Sequence, residues 1–409
     1  MTRLYLRESG LREIATALGQ QQRIVDRNFA CDSAVDEAAT LRTKALRSLS
    51  KSIRITQDED RFHTDDAEAY ILSCLLMCIL ESLRGVSADL LVHIRCGIAI
   101  VHQQQHMSRE TREAAQLLRQ CAAGVSLFNS YSVHGLDIQS KLIMQPLKSD
   151  DELAELTEYS IANELDALIL GTLHLMTECW RLSTTEDSSE DFIELANLRS
   201  QLLQRQSRLI ESLEFKTRFA QDDNTQQAGF FILSKASCIL VNVYLEATRT
   251  ARQTNYDNHM AEFSQVVDLV DLALKQMHNV GTTSGIAPAR RAFSVGLPFQ
   301  ALLCLVSTQC RDHDIRWRAF SLLDFCPRYE GAYDLDLVKV ICRAVIKFEE
   351  SGIESAEYFI PESRRVHYYH LPSCSTTTGR TFTLDMCYGS ANEGEFNIHE
   401  ETLELEPAP

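Results

Sequence analysis

The chain has 409 residues, 45% hydrophobic and 24% charged, a composition typical of globular proteins that excludes a disordered one. Its formal net charge of -17 repels phosphate backbones, so we expect no direct nucleic-acid binding by these residues. The first ten residues lack the apolar run of a signal peptide, and the longest apolar run, AYILSCLLMCIL, is too short to span a bilayer. We therefore expect a soluble intracellular protein that makes no membrane contact.

Apolar residues recur at helical spacing along most of the chain, and this periodicity predicts a large domain of packed antiparallel helices over residues 1–360. The polar stretch STTEDSSED, residues 183–191, predicts a mobile loop between two of these helices. The predicted helices lie within residues 11–25, 36–53, 64–85, 87–105, 191–219, 226–252, 259–277, 296–310 and 315–350.

The C-terminal end changes character at residues 361–409, where β-branched and aromatic residues alternate between Gly, Ser and Asn. The stretches RRVHYYHLPSCS, TGRTFTLDMCYG and GEFNIHEETLELE predict three short antiparallel strands. Because an isolated hairpin is only marginally stable, we expect these strands to pack on the helices. The predicted fold class is mainly α, with a short strand-rich tail.

No arrangement of residues in the sequence predicts catalysis or metal binding. The 13 cysteines form no Cys-x-x-Cys pair, and Cys74 and Cys78 lie at helical spacing in an apolar run, so we interpret them as small buried hydrophobes. His102 and His106 have metal-ligand spacing, but Gln103 stands where a metalloprotease has Glu, so they indicate a polar helix end. We expect no catalytic, cofactor-binding or metal-binding residue, and no enzymatic activity.

The segment IRWRAFSLLDFC predicts a helix that ends at a proline. Ile315, Ala319, Leu322 and Leu323 are expected to face the core. Pro327 cannot continue the helix, and the residue before a proline avoids the α region.

A second helix follows this stop within a few residues. Asp334 is its predicted N-cap, and Gly331 is predicted to have a positive φ in the connection. Arg328 and Glu330 flank the turn, where they are expected to pair with helix ends or with each other. We predict that Pro327, Arg328 and Glu330 hold the architecture and bind no ligand.

This stretch resembles the closing signature of the regulatory domain of fungal zinc binuclear cluster transcription factors. The likeness extends to the apolar helix pair at residues 67–101 and to Leu136, Asp137 and Gln139. Its mild departures are at Tyr329, Ala332 and Tyr333. The signature positions in this sequence are Ile315, Arg316, Ala319, Leu322, Leu323, Cys326, Pro327, Arg328, Glu330, Gly331, Tyr333 and Asp334.

The resemblance implies a nuclear transcriptional regulator, with the cytoplasm as the alternative compartment. The six-cysteine DNA-binding module of that family, with its two zinc ions, has no counterpart in this sequence, so the resemblance implies no cofactor here. The implied partners are the transcription machinery or a second chain in a homodimer or heterodimer, with room for a small-molecule effector. The alternative is a helical scaffold or adaptor that has no transcriptional role.

Overall fold

The fold is known from a computed structural model of the chain. It describes Leu11 and residues 14–19, 40, 43, 64–82, 88–103, 108–128, 157–183, 189–220, 226–248, 252–283, 293–294, 299–330, 333–353, 360–370, 381–390 and 395–404.

The fold is mainly α, as the periodicity predicted. The α-helices of the described residues are α1 Thr64–Ser82, α2 Ala88–Gln103, α3 Arg109–Phe128, α4 Glu158–Ser183, α5 Ser189–Ala220, α6 Gln226–Ala247, α7 Met260–Thr283, α8 Phe299–Gln309, α9 His313–Leu322 and α10 Leu335–Glu350. Short 3-10 helices occupy Gln253–His259, Leu323–Phe325 and Glu362–Arg364.

The helices pack around one large apolar cluster and two smaller ones. The large cluster takes buried residues from α1 to α3, from α6 to α10 and from the C-terminal strands. A second cluster lies mainly between α4, α5 and α6, and a third joins Ile14 to Met77 and Leu80 of α1. Helix α6 contributes buried residues to both larger clusters and packs against α4, α5, α7 and α8, so it is the central helix.

Two local contacts explain how particular helices meet. A Cβ at Gly97 of α2 would lie 2.8 Å from Leu118 Cδ1 and 3.0 Å from Cys74 Cβ, so glycine lets α2 approach α1 and α3 closely. Gln206, which interrupts the apolar seam of α5, is buried, and its Nε2 donates to the Cys238 carbonyl of α6 at 3.2 Å. This hydrogen bond satisfies the amide nitrogen between two apolar helix faces.

The three predicted C-terminal strands are present as β4 Val366–His370, β5 Thr381–Ser390 and β6 Glu395–Glu404, in an antiparallel sheet of order β4-β5-β6. Alternate residues of β5 face the helices, and Phe382, Leu384 and Met386 belong to the large cluster. The sheet therefore shares the core of the helices.

A second small sheet was not predicted from the sequence. Strand β1 Phe293–Ser294 pairs in parallel with β2 Tyr329–Glu330, which pairs antiparallel with β3 Tyr333–Asp334. The expected tight connection between α9 and α10 is thus a hairpin with a partner strand. Two-residue strands leave no periodicity in a sequence, and their pairing depends on distant residues.

Two predicted loop boundaries were wrong. Ser183 closes α4 and Ser189–Asp191 form the first turn of α5, so both ends of the loop expected at residues 183–191 are helical. Helix α7 runs on to Thr283, beyond the helix predicted within residues 259–277. The predicted positive φ of Gly331 and the family-like residues Leu136, Asp137 and Gln139 lie outside the described residues, as does most of the helix predicted over 36–53.

One helix of the described residues, Gln227–Ala247, is long and apolar enough to cross a membrane, with a mean hydropathy of 1.7. In this fold 78% of that window is buried inside the protein. Buried core helices of soluble proteins can be equally long and apolar.

Candidate functional site

The family-like segment lies where α8, α9 and α10 meet, and Arg316, Arg328, Glu330 and Asp334 in it have defined partners. Glu330 is buried, and its Oε2 accepts from the backbone amide of Gln300 at 2.6 Å, in the first turn of α8. Gln300 in turn donates from Nε2 to the Pro327 carbonyl at 2.6 Å. The hairpin is therefore fastened to the N-terminus of α8 through a backbone amide that has no partner within the helix.

Arg328 and Asp334 join the same hairpin to α10. Asp334 is the N-cap of α10, as predicted, and its side chain accepts from the amide of Asp336 at 2.9 Å. The Arg328 guanidinium lies 3.6 Å from Asp336 Oδ2 and 3.9 Å from Asp334 Oδ2, and its carbonyl accepts from Leu335 N at 2.8 Å. Arg328 and Glu330 thus contact the starts of two different helices. The sequence had left open whether these two residues pair with helix ends or with each other.

Burial shifts the pKa of the Glu330 carboxyl. It raises the pKa of the Glu330 carboxyl to about 8, and the amides of Gln300 and Phe299 offset this only in part. No hydrogen bond reaches Oε1 of Glu330 or Oε1 of Gln300 from the described residues. A protonated carboxyl suits such surroundings better than an ionised one, because the second oxygen is desolvated without a donor.

Behind the hairpin lies a buried network of charges. Arg316 Nη2 lies 2.9 Å from Glu349 Oε2, and Arg311 Nη2 lies 2.8 Å from Glu349 Oε1. The backbone amide of Val366 donates to the same Oε1 at 2.8 Å, and Arg316 Nε donates to the Ser307 carbonyl at 3.1 Å. One carboxylate therefore ties together α8, α9, α10 and β4.

The two guanidinium groups also set the titration of Glu349. Burial alone would raise the pKa of this carboxyl, but Arg311 and Arg316 hold it below its usual value. Glu349 is therefore ionised at neutral pH, which matches the two positive charges that face it.

The positions of the apolar signature residues confirm the expected core face only in part. Ala319 and Leu323 are buried, whereas Ile315 and Leu322 are half-buried. Arg316 is buried without solvent contact as well, and it stands on the same helical stripe as Ala319 and Leu323. The carboxylate of Glu349 makes this possible.

Another buried arginine, Arg365, fastens the sheet to the helices. Arg365 makes a bidentate pair with Asp257, both contacts at 2.7 Å, and donates from Nε to the Ile360 carbonyl at 2.8 Å. Glu362 accepts from the amides of Gln253 and Thr254, each at 2.7 Å. These contacts hold the start of β4 against the short helix that precedes α7.

A group of three polarisable side chains lies inside the large cluster. Cys304 Sγ is 3.4 Å from Tyr369 Oη, and hydrogen bonding from Cys342, together with that from Tyr369, lowers the pKa of Cys304 against the opposing effect of burial. Both cysteines are buried, so neither thiol is placed to meet a dissolved substrate. The described cysteines are all free thiols, and most are buried as predicted.

Within the described part of the chain, no group of three or more His, Cys, Asp and Glu side chains is placed to hold a metal ion. His102 ends α2 beside Gln103, while His106 lies outside the described residues. His367 on β4 is buried, with Nε2 2.9 Å from the Gly389 carbonyl.

A concave site lies where α4, α6 and α8 meet, on the seam between the two larger clusters. Its cavity volume is about 30 Å³, and it opens to solvent. Its wall is formed mainly by aliphatic side chains and one thioether, including Ile169, Leu173, Met176, Leu240, Val241 and Leu302. Sequence reasoning missed this pocket because its three walls are far apart in the chain.

Comparisons with known proteins identified no relative of this chain. No family model matches the chain, and neither a curated protein nor a solved structure matches it.

Proposed function

We propose that this chain is a transcriptional regulator of the fungal zinc-cluster type, whose helical regulatory domain works without a DNA-binding module of its own in these residues. The observation that carries the proposal is the signature itself, Ile315–Asp334. Its described polar positions are the ones that join α8, α9 and α10: Arg316 in the core, Glu330 on the start of α8, and Asp334 at the start of α10. A resemblance at such positions supports a shared architecture.

The charge of the chain supports action through protein contacts. A net charge of -17 disfavours approach to DNA, so a regulator of this composition reaches its genes through other proteins. The partners we propose are the transcription machinery or a second regulator that carries a DNA-binding module. The nucleus is the compartment in which such a protein acts.

A tethering experiment tests the proposal. The whole chain is fused to a foreign DNA-binding domain and expressed with a reporter gene that carries the matching operator. We expect reporter output to rise or fall relative to the DNA-binding domain alone. A fusion that carries Glu349→Ala, which removes the carboxylate shared by two buried arginines, should lose the effect, whereas Arg318→Ala, at an exposed ion pair, should keep it.

A helical scaffold or adaptor is the second candidate function, and one surface feature favours it. Phe192 and Ile193, in the first turn of α5, are 54% and 62% exposed, which is unusual for two adjacent large apolar side chains. The scaffold function would be favoured over transcriptional regulation by two results together. The tethered fusion would leave the reporter output unchanged, and the protein would be cytoplasmic and co-purify with stable partners.

A further inference from the structure

We propose that the outer edge of strand β6 binds an extended, lysine- or arginine-rich segment of another protein, which adds to the C-terminal sheet as a fourth strand. Strand addition of this kind draws its affinity from backbone hydrogen bonds and its specificity from alternate side chains. Binding at this edge goes beyond the proposed transcriptional role and does not require it, because it needs only the sheet itself.

The two edges of the sheet differ in length and regularity. Strand β4 has five residues, and its pairing with β5 shifts register between Val366 and Tyr368. Strand β6 has ten residues, which pair with β5 without interruption from Glu395 to Glu404. Native edge strands are usually short, bulged or covered, because unpaired amides and carbonyls attract a further strand. Among the described residues no strand pairs with β6 on its outer side, so β6 keeps a long, regular row of such groups.

Strand β6 is anchored on its inner face and open on its outer face. The ring of His399 stacks on Phe348 of α10 with the centroids 4.7 Å apart, and Leu403 packs against the large cluster. On the opposite face Ile398 is 67% exposed, and Glu400 is exposed as well. A partner strand therefore meets an edge that is already ordered, together with an apolar side chain that it can cover.

Charge selects the kind of segment that fits this edge. None of the ten residues of β6 is lysine or arginine, and four are glutamates: Glu395, Glu400, Glu401 and Glu404. Glu400 stands directly opposite Asp385 of β5. Like charges directly opposite each other destabilise a sheet, so a cationic side chain beside this pair relieves a repulsion that exists in the free protein.

The same charges disfavour a second copy of the chain as the occupant. Pairing two β6 strands edge to edge would bring the four glutamates of one strand against those of the other, with no lysine or arginine in either. Juxtaposed like charges suppress such pairings. The glutamates therefore protect the edge from self-association while they attract a basic strand.

The test measures the binding of short peptides to the full chain by fluorescence anisotropy. The probe alternates lysine with valine and has blocked ends, and a glutamate–valine peptide carries the opposite charge. A third peptide is the lysine probe methylated on every backbone nitrogen, which keeps the charge and removes the donors that a strand needs. We expect saturable one-to-one binding of the unmethylated lysine probe and of neither control peptide.

Protection of the backbone locates the site. Amides of β6 that point away from β5 have no strand partner among the described residues, so we expect hydrogen exchange over residues 395–404 to slow when the lysine probe binds. Mass spectrometry of the corresponding peptide measures this change. Adhesion of the probe elsewhere on the acidic surface would leave the exchange of β6 unchanged.

A charge-reversal variant provides the second arm. Glu400→Lys combined with Glu404→Lys reverses two exposed charges of β6, and we expect the lysine probe to bind about tenfold more weakly and the glutamate peptide to bind instead. The matched control combines Glu194→Lys with Glu211→Lys at exposed positions of α5, which changes the net charge equally and should keep the binding of the lysine probe. If the β6 variant does not fold, the three peptides on the wild-type chain decide.

The proposal would be overturned by a lysine probe that does not bind, by equal binding of its methylated form or of the glutamate peptide, or by unchanged exchange over residues 395–404. An equal loss of binding in the α5 control would also overturn it, as would self-association of the free chain that slows the exchange of β6.

Discussion

Arg316 and Glu349 form an ion pair without solvent contact: Nη2 lies 2.9 Å from Oε2, and both side chains are 0% exposed. Moving two charges out of water costs several kcal/mol for each ion, so their attraction alone does not guarantee a gain. The carboxylate also accepts from Arg311 and from the amide of Val366, which satisfies both of its oxygens. Glu349 is thus the residue on which the buried network depends.

Glu349→Ala is the substitution that this network predicts to be most damaging. It leaves Arg311 and Arg316 buried without their shared carboxylate, and breaking a buried pair in this way costs about 3–5 kcal/mol. Urea denaturation followed by circular dichroism measures the loss of unfolding free energy. Asp268→Ala breaks the exposed pair with Arg318 and should cost at most about 1 kcal/mol. Similar losses for the two variants would contradict this account of the network.

The raised pKa of Glu330 predicts a pH-dependent stability. The folded protein holds this proton up to about pH 8, whereas the unfolded chain releases it near 4.5, so the contribution is complete below 4.5 and is lost as the pH rises through 8. Glu330→Gln mimics the protonated form and keeps an acceptor for Gln300 N. We expect the variant to gain stability relative to wild type between pH 5 and about 8, and the difference to level off above that range. Chemical denaturation at several pH values measures it, and two parallel curves would show that Glu330 does not titrate as described.

Alanine substitutions at two glycines inside helices should have opposite effects on stability. Gly97→Ala would place a Cβ 2.8 Å from Leu118 Cδ1 and 3.0 Å from Cys74 Cβ, so we expect a loss of about 1–3 kcal/mol as the three helices adjust. Gly229→Ala in α6 meets no atom within 4 Å and should stabilise the protein by up to about 1 kcal/mol, since alanine has the higher helix propensity. The two variants are compared by their urea midpoints, and a loss at Gly229 would refute the assigned helix geometry.

Thiol reactivity should follow burial. Cys96 on α2 is exposed, whereas burial raises the pKa of Cys74 and of Cys121 to about 12, which keeps them as unreactive thiols. Brief treatment of the native protein with N-ethylmaleimide, followed by peptide mass spectrometry, should label Cys96 and leave Cys74 and Cys121 unlabelled until urea is added. Early labelling of Cys121 would contradict the position of α3.

The sequence predicted the C-terminal strands and the described α-helices other than α3 and α4, because periodicity records which face of an element is apolar. It predicted the N-cap of α10 because Asp334 precedes an apolar stripe, a pattern that needs no tertiary information. The end of α10 also follows a local rule, that a glycine with positive φ commonly follows the C-cap of a helix. Gly352, directly after the C-cap Ser351, has a φ of 77°.

The buried charges escaped prediction, although a signal was present. Arg316 lies three and seven residues before Ala319 and Leu323, and Glu349 lies four and eleven residues after Val345 and Val338, so each charge falls on an apolar stripe. Apolar periodicity assigns a charged residue to the surface of the protein, because the pattern along one helix does not show whether a charge on another helix pairs with it. The Gln300–Glu330 contact and the pocket depend in the same way on segments brought together only by the fold.

The measurement that tests the proposed function most directly is chromatin occupancy of the native protein. The full chain is tagged, crosslinked in its own cells and recovered with the DNA that is bound through its partners. We predict enrichment at a defined set of promoters, together with changed transcripts from those genes when the chain is removed. A protein that stays outside the nucleus, or that is recovered with no promoter above background, would contradict the account.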